Sequence, residues 1–134
     1  MKPKICIITL GVTNFKKSFE FYKNGLGFTP HDFKDDNEYV LFELEGTWLS
    51  LFPKEKLAED ITITVAGSGF SGFTLAHNVK TKGAVDEVFK LAVAHGATLI
   101  KKPQDVFWGG YSGYFADPDG YYWEIAYNPF TDLS

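Results

Sequence analysis

The sequence is poor in the features that mark several large protein classes. Its single cysteine, Cys6, lies in the apolar run 5–8, so no disulfide framework or cysteine-based zinc site can form, and we expect Cys6 to be a small buried apolar residue. No apolar run approaches the roughly 20 residues that a membrane-spanning helix needs, and the first residues lack the apolar segment of a secretory signal. These absences predict a cytoplasmic protein without a membrane partner.

The charge is mildly acidic and evenly spread. The formal net charge is −4, and the lysines are scattered instead of forming the basic stripe that nucleic-acid binding requires, so we expect no nucleic-acid partner. A chain of 134 residues, with 45% hydrophobic and 17% aromatic residues, is long and apolar enough for an ordered domain with a sizeable core. We expect most aromatic side chains to pack in that core and some to line a cleft.

The most informative stretch is the aromatic-rich segment 109–129 near the C-terminus. Two strand-like runs flank the tetrapeptide Asp117-Pro118-Asp119-Gly120. Pro118 fixes the φ angle that the second position of a turn needs, Asp117 can accept from the backbone two residues on, and Gly120 suits the closing position. The segment therefore predicts a strand hairpin.

The first half of the chain predicts one helix and four strands. The apolar run 4–12 predicts a strand, and Thr13-Asn14 is a candidate N-cap for a helix that ends at Gly25 and Gly27. Polar breaks separate three further predicted strands, at 28–34, 39–44 and 47–52. The predicted order is β-α-β-β-β.

The second half repeats this order, with a strand at 72–79, a helix at 81–95, and strands at 97–101, 111–116 and 121–127. Val12 and Val79 close the two equivalent first strands, and the halves are offset by 67 to 69 residues, which indicates a duplicated module. The modules are 4–52 and 72–129. The charged and Gly/Ser-rich stretch 53–71 between them is predicted to be a connecting loop.

These features together resemble one known superfamily. The hairpin 109–129, the phrase 8–28 and the βαβββ repeat are similar to those of the vicinal-oxygen-chelate superfamily, which holds glyoxalase I, extradiol dioxygenases and bleomycin-resistance proteins. The resemblance spans nearly the whole chain and implies an α+β fold, in which tandem βαβββ modules form a curved sheet around a cleft. It also implies a single glyoxalase-like domain over 1–134 and, because relatives often pair modules across a two-fold axis, a homodimer.

The resemblance implies where a metal would be held. In metal-dependent members the ligands come from the first, fourth, fifth and eighth strands, and they are usually His or Gln, Glu, His and Glu. The matching positions here are Ile7, Ser50, Thr74 and Glu124, so only Glu124 keeps a ligand-type side chain. We therefore expect no metal cofactor, with a divalent metal as the alternative. His77 is a further candidate ligand, but strand alternation puts it on the opposite face from Thr74.

Strand alternation also predicts which side chains face the cleft. The expected lining is aromatic with a few polar points, as in many small-molecule sites, and consists of Thr9, Trp48, Ser50, Phe52, Thr74, Ala76, Asn78, Tyr122 and Glu124. Trp108, Tyr111 and Tyr114 are candidates for the rim. Glu124, a lone carboxylate in an apolar pocket, could act as a general acid or base, as a counter-charge for a planar cationic ligand, or as an inert relic of a metal-binding ancestor.

Three hypotheses for the function follow. The first is a metal-independent protein that binds a small, partly aromatic molecule, as bleomycin-resistance proteins sequester their ligands. The second is an enzyme, either a lyase or isomerase related to glyoxalase I or a ring-cleaving dioxygenase, with an atypical metal site built on Glu124 and His77. The third is a scaffold that acts only through protein contacts.

Overall fold

The computed structural model describes residues 1, 3, 5–62, 64–65, 70–71 and 73–134, and of Ile61 it describes the backbone alone. The chain divides into two compact units, Met1–Gly69 (unit 1) and Phe70–Ser134 (unit 2). Each unit contains one four-stranded mixed sheet together with helices. This arrangement confirms the predicted α+β class.

Unit 1 has the predicted order of elements with one helix added at its end. These are β1 (Ile7–Val12), α1 (Phe15–Glu20) with a following π-helical turn (Phe21–Gly25), β2 (Thr29–Pro30), β3 (Val40–Glu43), β4 (Trp48–Pro53) and α2 (Lys54–Ile61). The strand order is β1-β4-β3-β2, with β1 parallel to β4 and the other pairs antiparallel. The predicted N-cap is confirmed, since Asn14 Oδ1 accepts a hydrogen bond from Lys17 N at 3.1 Å.

Unit 2 repeats this topology. Its elements are β5 (Leu75–Val79), α3 (Lys82–Ala94), β6 (Thr98–Asp105), β7 (Tyr111–Ala116) and β8 (Tyr122–Tyr127). The strand order is β5-β8-β7-β6, and β5 is parallel to β8 as β1 is to β4. Thr81 caps α3, because its Oγ1 accepts from Ala84 N at 3.0 Å. The two sheets are therefore two copies of one strand order.

The hairpin of β7 and β8 forms as predicted. Asp117 Oδ1 accepts from Asp119 N at 2.9 Å and from Tyr121 N at 2.8 Å, and the Asp117 carbonyl accepts from Gly120 N at 3.0 Å. Gly120 has a φ of +87°, a conformation that glycine adopts without steric cost. The turn thereby fixes the register in which β7 and β8 pair.

Each unit has a core on the helix-covered side of its own sheet. Strand residues alternate between that side and the other, and β4 shows this most clearly, because Leu49 and Leu51 are buried and Trp48, Ser50 and Phe52 are not. The buried apolar residues of unit 1 are Leu10, Val12, Phe21, Tyr22, Val40, Phe42, Leu49, Leu51 and Ala58. Those of unit 2 are Val85, Phe89, Ala92, Ala97, Phe115, Ala116, Trp123, Ile125 and Ala126. The remaining strand residues are left for contacts on the other face.

Several elements differ from the sequence-based expectation. Residues 54–61 form α2, where the sequence predicted part of a connecting loop, because their Lys, Glu, Leu and Ala residues are strong helix formers and Ala58 is buried. The Gly- and Ser-rich piece of that loop, 67–72, lies outside the described residues apart from Phe70 and Ser71. The predicted burial of Cys6 is wrong, since Cys6 is exposed and the buried part of β1 begins only at Leu10.

Several strands differ in length from their predictions, and β1 and β5 begin only at Ile7 and Leu75. β2 covers only Thr29–Pro30 of the predicted 28–34, because Pro30 has no N–H to donate and Asp32 adopts a φ of +49°. β6 continues to Asp105 instead of ending at Lys101, with register shifts on both sides of Lys101. Within the described part of the chain, no helix is long and apolar enough to cross a membrane.

Candidate functional site

The face of the unit 2 sheet that points away from α3 contains Glu124. Strand pairing places Ala76 of β5 opposite Glu124 of β8, and Glu124 opposite Tyr114 of β7. The row continues to Lys101, which is the partner of Tyr114 on β6. We call this surface the Glu124 face, and its members on β5, β7 and β8 are Ala76, Asn78, Ser112, Tyr114, Ala116, Tyr122, Glu124 and Ala126.

Tyr114 and Glu124 form the central polar contact of the Glu124 face. Tyr114 lies directly across from Glu124 on the same face, where its hydroxyl can donate to the carboxylate. Burial raises the pKa of the Tyr114 hydroxyl above its usual value of 10, and the charge of Glu124 and this hydrogen bond raise it further. The phenol therefore stays protonated at neutral pH, and the carboxylate keeps capacity to accept further hydrogen bonds from a ligand.

An aromatic pair lies beside this contact. Tyr122 is on the same face of β8, two residues before Glu124, and its ring centroid is 5.8 Å from that of Phe70. Tyr122 is half-buried, whereas Phe70 is 66% exposed. The sequence did not single out Phe70, because it lies in a stretch without strand or helix periodicity. Together the two rings offer apolar surface next to a carboxylate.

Two predicted site residues lie on the α3 side of the same sheet. Tyr111 donates from its hydroxyl to Asp86 Oδ1 of α3 at 2.7 Å, and this hydrogen bond is the largest cause that raises the pKa of Tyr111. His77 is the partner of Ile125, a core residue; its side chain is exposed, and the neighbouring protein shields the imidazole from enough water to lower its pKa. Neither residue shares a face with Glu124.

Two further predicted residues lie outside the strands. Trp108 is in the turn between β6 and β7, where its indole covers Gly110, since a Cβ added to Gly110 would lie 2.0 Å from the ring. Thr74 precedes β5 and is exposed. Asn78 is the polar residue of β5 on the Glu124 face, in the row with Ala126 and Ser112.

Unit 1 contains a row equivalent to that of Glu124. Thr9 of β1 is the partner of Ser50 on β4, and Ser50 is the partner of Leu41 on β3. Thr9 and Ala76 each lie three residues before the valine that closes their strand, so Ser50 occupies in unit 1 the place of Glu124 in unit 2. The neighbouring residues on the same side of β4 are Trp48 and Phe52, as the sequence predicted from alternation.

A second polar group in unit 1 was not foreseen. His31 Nδ1 lies 3.4 Å from Glu43 Oε2, and the imidazole centroid is 4.9 Å from the Trp48 ring. His31 follows the short strand β2 and is anchored by its backbone N–H, which donates to the Leu41 carbonyl at 2.7 Å. Strand alternation could not place His31, because its position depends on where β2 ends.

The residues that the resemblance places at the metal positions do not fit a divalent metal ion. Unit 1 has Ile7 and Ser50 at these positions, and unit 2 has Thr74 and Glu124. An isoleucine cannot donate, neutral hydroxyls are poor ligands, and one carboxylate does not satisfy Zn²⁺ or Mg²⁺. Across the described ranges, no group of three or more His, Cys, Asp or Glu side chains is arranged to hold a metal ion.

Comparisons with known proteins agree with this fold. Residues 4–125 match the model of the family described as the glyoxalase/bleomycin resistance protein/dioxygenase superfamily. The uncharacterized protein YraH of Bacillus subtilis (strain 168) is 32% identical over 120 residues, which are 87% of this chain and 91% of YraH. The family match therefore covers most of the chain.

Solved structures give the same result. A glyoxalase-related enzyme from Fulvimarina pelagi is 32% identical, has a TM-score of 0.87, and is matched over 98% of this chain and 93% of its own. A glyoxalase/bleomycin resistance protein/dioxygenase family enzyme from Burkholderia phytofirmans PsJN, 22% identical, has a TM-score of 0.82 over 92% of this chain and 98% of its own, which shows the shared fold. The chain belongs to the glyoxalase/bleomycin resistance protein/dioxygenase superfamily.

Proposed function

We propose that the protein binds a small, partly aromatic molecule on the Glu124 face, without a standard metal centre. The observation that supports this proposal best is the pairing of Tyr114 with Glu124 across β7 and β8. This pairing sets a phenol opposite a carboxylate on the face that also carries Tyr122, whose ring packs against Phe70. Small-molecule sites are usually built in this way, from apolar surface with a few polar groups that fix the orientation of the ligand.

The chemistry of the Glu124 face favours a ligand that donates hydrogen bonds. The Glu124 carboxylate only accepts when it is ionised, so a protonated amine or an N–H group of the ligand would pair with it. Tyr122 and Phe70 would stack on the planar part of the ligand, and Asn78 would add one adaptable hydrogen bond. On the sheet of unit 1, taken by itself, we propose that Thr9, Trp48, Ser50 and Phe52 line a ligand-binding face.

A binding assay with matched variants tests the proposal. Planar aromatic amines are screened by their effect on the melting temperature, and the best of them is titrated by calorimetry. Glu124→Gln removes one charged acceptor and should weaken binding by about 10- to 100-fold. Glu87→Gln, an equal change of charge on the exposed side of α3, should bind like the unchanged protein. An equal loss of affinity in both variants contradicts the proposal, and so does an unchanged affinity in Glu124→Gln.

The enzymatic alternative is tested on the same protein. A lyase, isomerase or dioxygenase of this superfamily with an atypical site would contain Mn, Fe, Ni or Zn near one ion per chain, and Glu124→Ala would lose both metal and ligand binding. Elemental analysis of the purified protein and of Glu124→Ala distinguishes the two accounts. Near-stoichiometric metal that disappears with Glu124 overturns the metal-independent proposal.

The assembly and location are proposed on the resemblance and the composition. We propose a homodimer, because relatives pair modules across a two-fold axis, and a cytoplasmic location, as the composition suggests. Light scattering on the eluted peak of a size-exclusion column measures the mass directly. A mass equal to that of one chain at every concentration contradicts the dimer.

A further inference from the structure

Unit 1 contains a groove that the proposed function does not use. Its volume is about 830 Å³, and it lies between the first turn of α1 and the loop 33–38 that connects β2 to β3. All residues that line it belong to unit 1. None of them is among the ligand-binding or metal-site residues predicted from the sequence. A volume of this size is in the range of sites that hold a drug-sized molecule.

The floor of the groove is aromatic. Phe15, Phe19 and Phe33 are half-buried, and their ring centroids are 4.5 Å apart for Phe19 and Phe33 and 5.6 Å apart for Phe15 and Phe19. Phe19 also lies 6.1 Å from Phe42, a core residue, so the cluster is anchored in the fold of unit 1. The outer surfaces of the rings remain available to a ligand.

The walls of the groove are acidic. Four carboxylates, those of Glu20, Asp35, Asp36 and Glu38, line it against a single ammonium group, that of Lys16. Glu38 is already paired with Lys56 at 3.3 Å, and Glu20 accepts a hydrogen bond from Asn24. Asp35 and Asp36 are exposed on the loop and are therefore the acids best placed to meet a ligand.

The aromatic cluster already attracts a cation within the chain. The Lys23 ammonium lies 5.5 Å from the centroid of the Phe19 ring, within the distance at which a positive charge is attracted to an aromatic face. Aromatic faces next to carboxylates are complementary to a positive charge on an apolar body. They disfavour an anion, which both the rings and the acids would repel.

We propose that this groove binds an organic cation, with the apolar body of the ligand on Phe15 and Phe33 and its charged nitrogen toward Asp35 and Asp36. The site is separate from the Glu124 face in both residues and elements. It gives the protein a second ligand class, recognised by positive charge combined with aromatic or aliphatic bulk. Salt should weaken the interaction, because the acids lie at the surface.

Three probes with one aromatic body test the proposal. 1-Naphthylmethylamine is a cation at neutral pH, 1-naphthylmethanol is neutral, and 1-naphthylacetate is an anion. We expect the amine to bind about tenfold more tightly than the alcohol, and the anion not to bind. In amide-resolved NMR spectra the amine should shift signals of residues 13–20 and 33–38. Raising salt from about 0.05 M to about 0.5 M should weaken its binding.

Matched variants locate the site. Asp35→Asn combined with Asp36→Asn should weaken the binding of the amine about tenfold. Glu45→Gln combined with Asp60→Asn is an equal change of charge at exposed positions outside the groove and should leave the binding unchanged. Phe33→Leu keeps an apolar side chain but removes the ring face. It should therefore weaken the binding of the amine more than the binding of the alcohol.

Several outcomes overturn the proposal. Equal binding of the amine and the alcohol shows an apolar site without selection for charge. Shifts confined to residues 112–126 assign the amine to the Glu124 face instead. A lysine-rich peptide that binds at the loop 33–38 while the naphthyl amine does not identifies a protein partner and excludes the small cation.

Discussion

Tyr114 and Glu124 are direct partners across the β7–β8 ladder, with the phenol on the same face as the carboxylate. The pairing follows from the turn at Asp117, which fixes the register of the hairpin. A phenol beside a carboxylate is held in its neutral form, because ionisation would place two negative charges next to each other. Each residue therefore influences the chemistry of the other.

Glu124→Gln should lower the pKa of Tyr114 toward its usual value. The substitution removes the negative charge and weakens the hydrogen bond that favour the protonated phenol, while the burial of Tyr114 stays and keeps part of the shift. Titration of the protein labelled with ¹³C at the phenol carbon of tyrosine resolves the individual hydroxyls by NMR. We expect the midpoint of Tyr114 alone to move.

A second tyrosine provides the control for this measurement. Tyr111 donates to Asp86 on the other side of the sheet, so Asp86→Asn should lower the pKa of Tyr111 and leave that of Tyr114 in place. A shift of the pKa of both tyrosines in Glu124→Gln would contradict this account. So would the absence of a pKa shift of Tyr114 in Glu124→Gln and of Tyr111 in Asp86→Asn.

His77 should make the stability of the fold depend on pH below its usual pKa of 6.5. Burial lowers the pKa of His77 in the folded protein, so the unfolded chain binds the proton first. The contribution of neutral His77 to the stability of the fold is complete above pH 6.5. It is lost as the pH falls through the lowered pKa of His77 in the folded protein. Urea unfolding of the protein and of His77→Phe over this window should show a weaker pH dependence in the variant. A His77 NMR midpoint at or above 6.5 contradicts this account.

Gly113→Ala should destabilise unit 2. A Cβ at Gly113 would lie 2.6 Å from the Lys101 carbonyl oxygen and 2.7 Å from Pro103 N, both backbone atoms of the adjacent strand β6. We expect a loss of about 1–3 kcal/mol in the free energy of unfolding, as for other overpacked sites. Gly83→Ala is the matched control, because the nearest atom lies at 3.9 Å and Gly83 is in α3, where alanine should gain about 0.5–1 kcal/mol. Equal effects of the two substitutions would argue against the close approach of β6 and β7.

Asp117→Ala should destabilise the hairpin that places Glu124. The side chain is 3% exposed and accepts from the backbone N–H groups of Asp119 and Tyr121, so its removal leaves two donors without that acceptor. We expect a loss of about 1–3 kcal/mol in the free energy of unfolding. Asp117→Asn keeps an acceptor oxygen and should recover most of this loss. If both variants unfold at the same denaturant concentration, the two hydrogen bonds do not stabilise the turn.

Much of the fold could be predicted from the sequence, and the reasons are local. The turn at Asp117 and the caps Asn14 and Thr81 depend on residues a few positions apart, so their chemistry is visible in the chain itself. The register of the hairpin follows from that turn, and counting back from it pairs Glu124 with Tyr114. Strand alternation then separates His77 from Glu124.

The remaining features depend on contacts between distant parts of the chain. The charged residues of α2 led to the prediction of a loop, whereas the helix is stabilised partly by the burial of Ala58. The contact of His31 with Glu43 and the groove beside Phe33 depend on the path of the loop after β2. The length of that short strand is set by Pro30 and Asp32, and periodicity does not report it.

Because the two sheets share one register, each position in one sheet has an equivalent position in the other with which it can be compared. Ser50 and Glu124 stand at the same place in two ladders of equal strand order, one with a hydroxyl and the other with a carboxylate. Exchanging the two side chains between the halves would separate what the acid itself contributes from what its half of the molecule contributes, with the rest of the chain held constant.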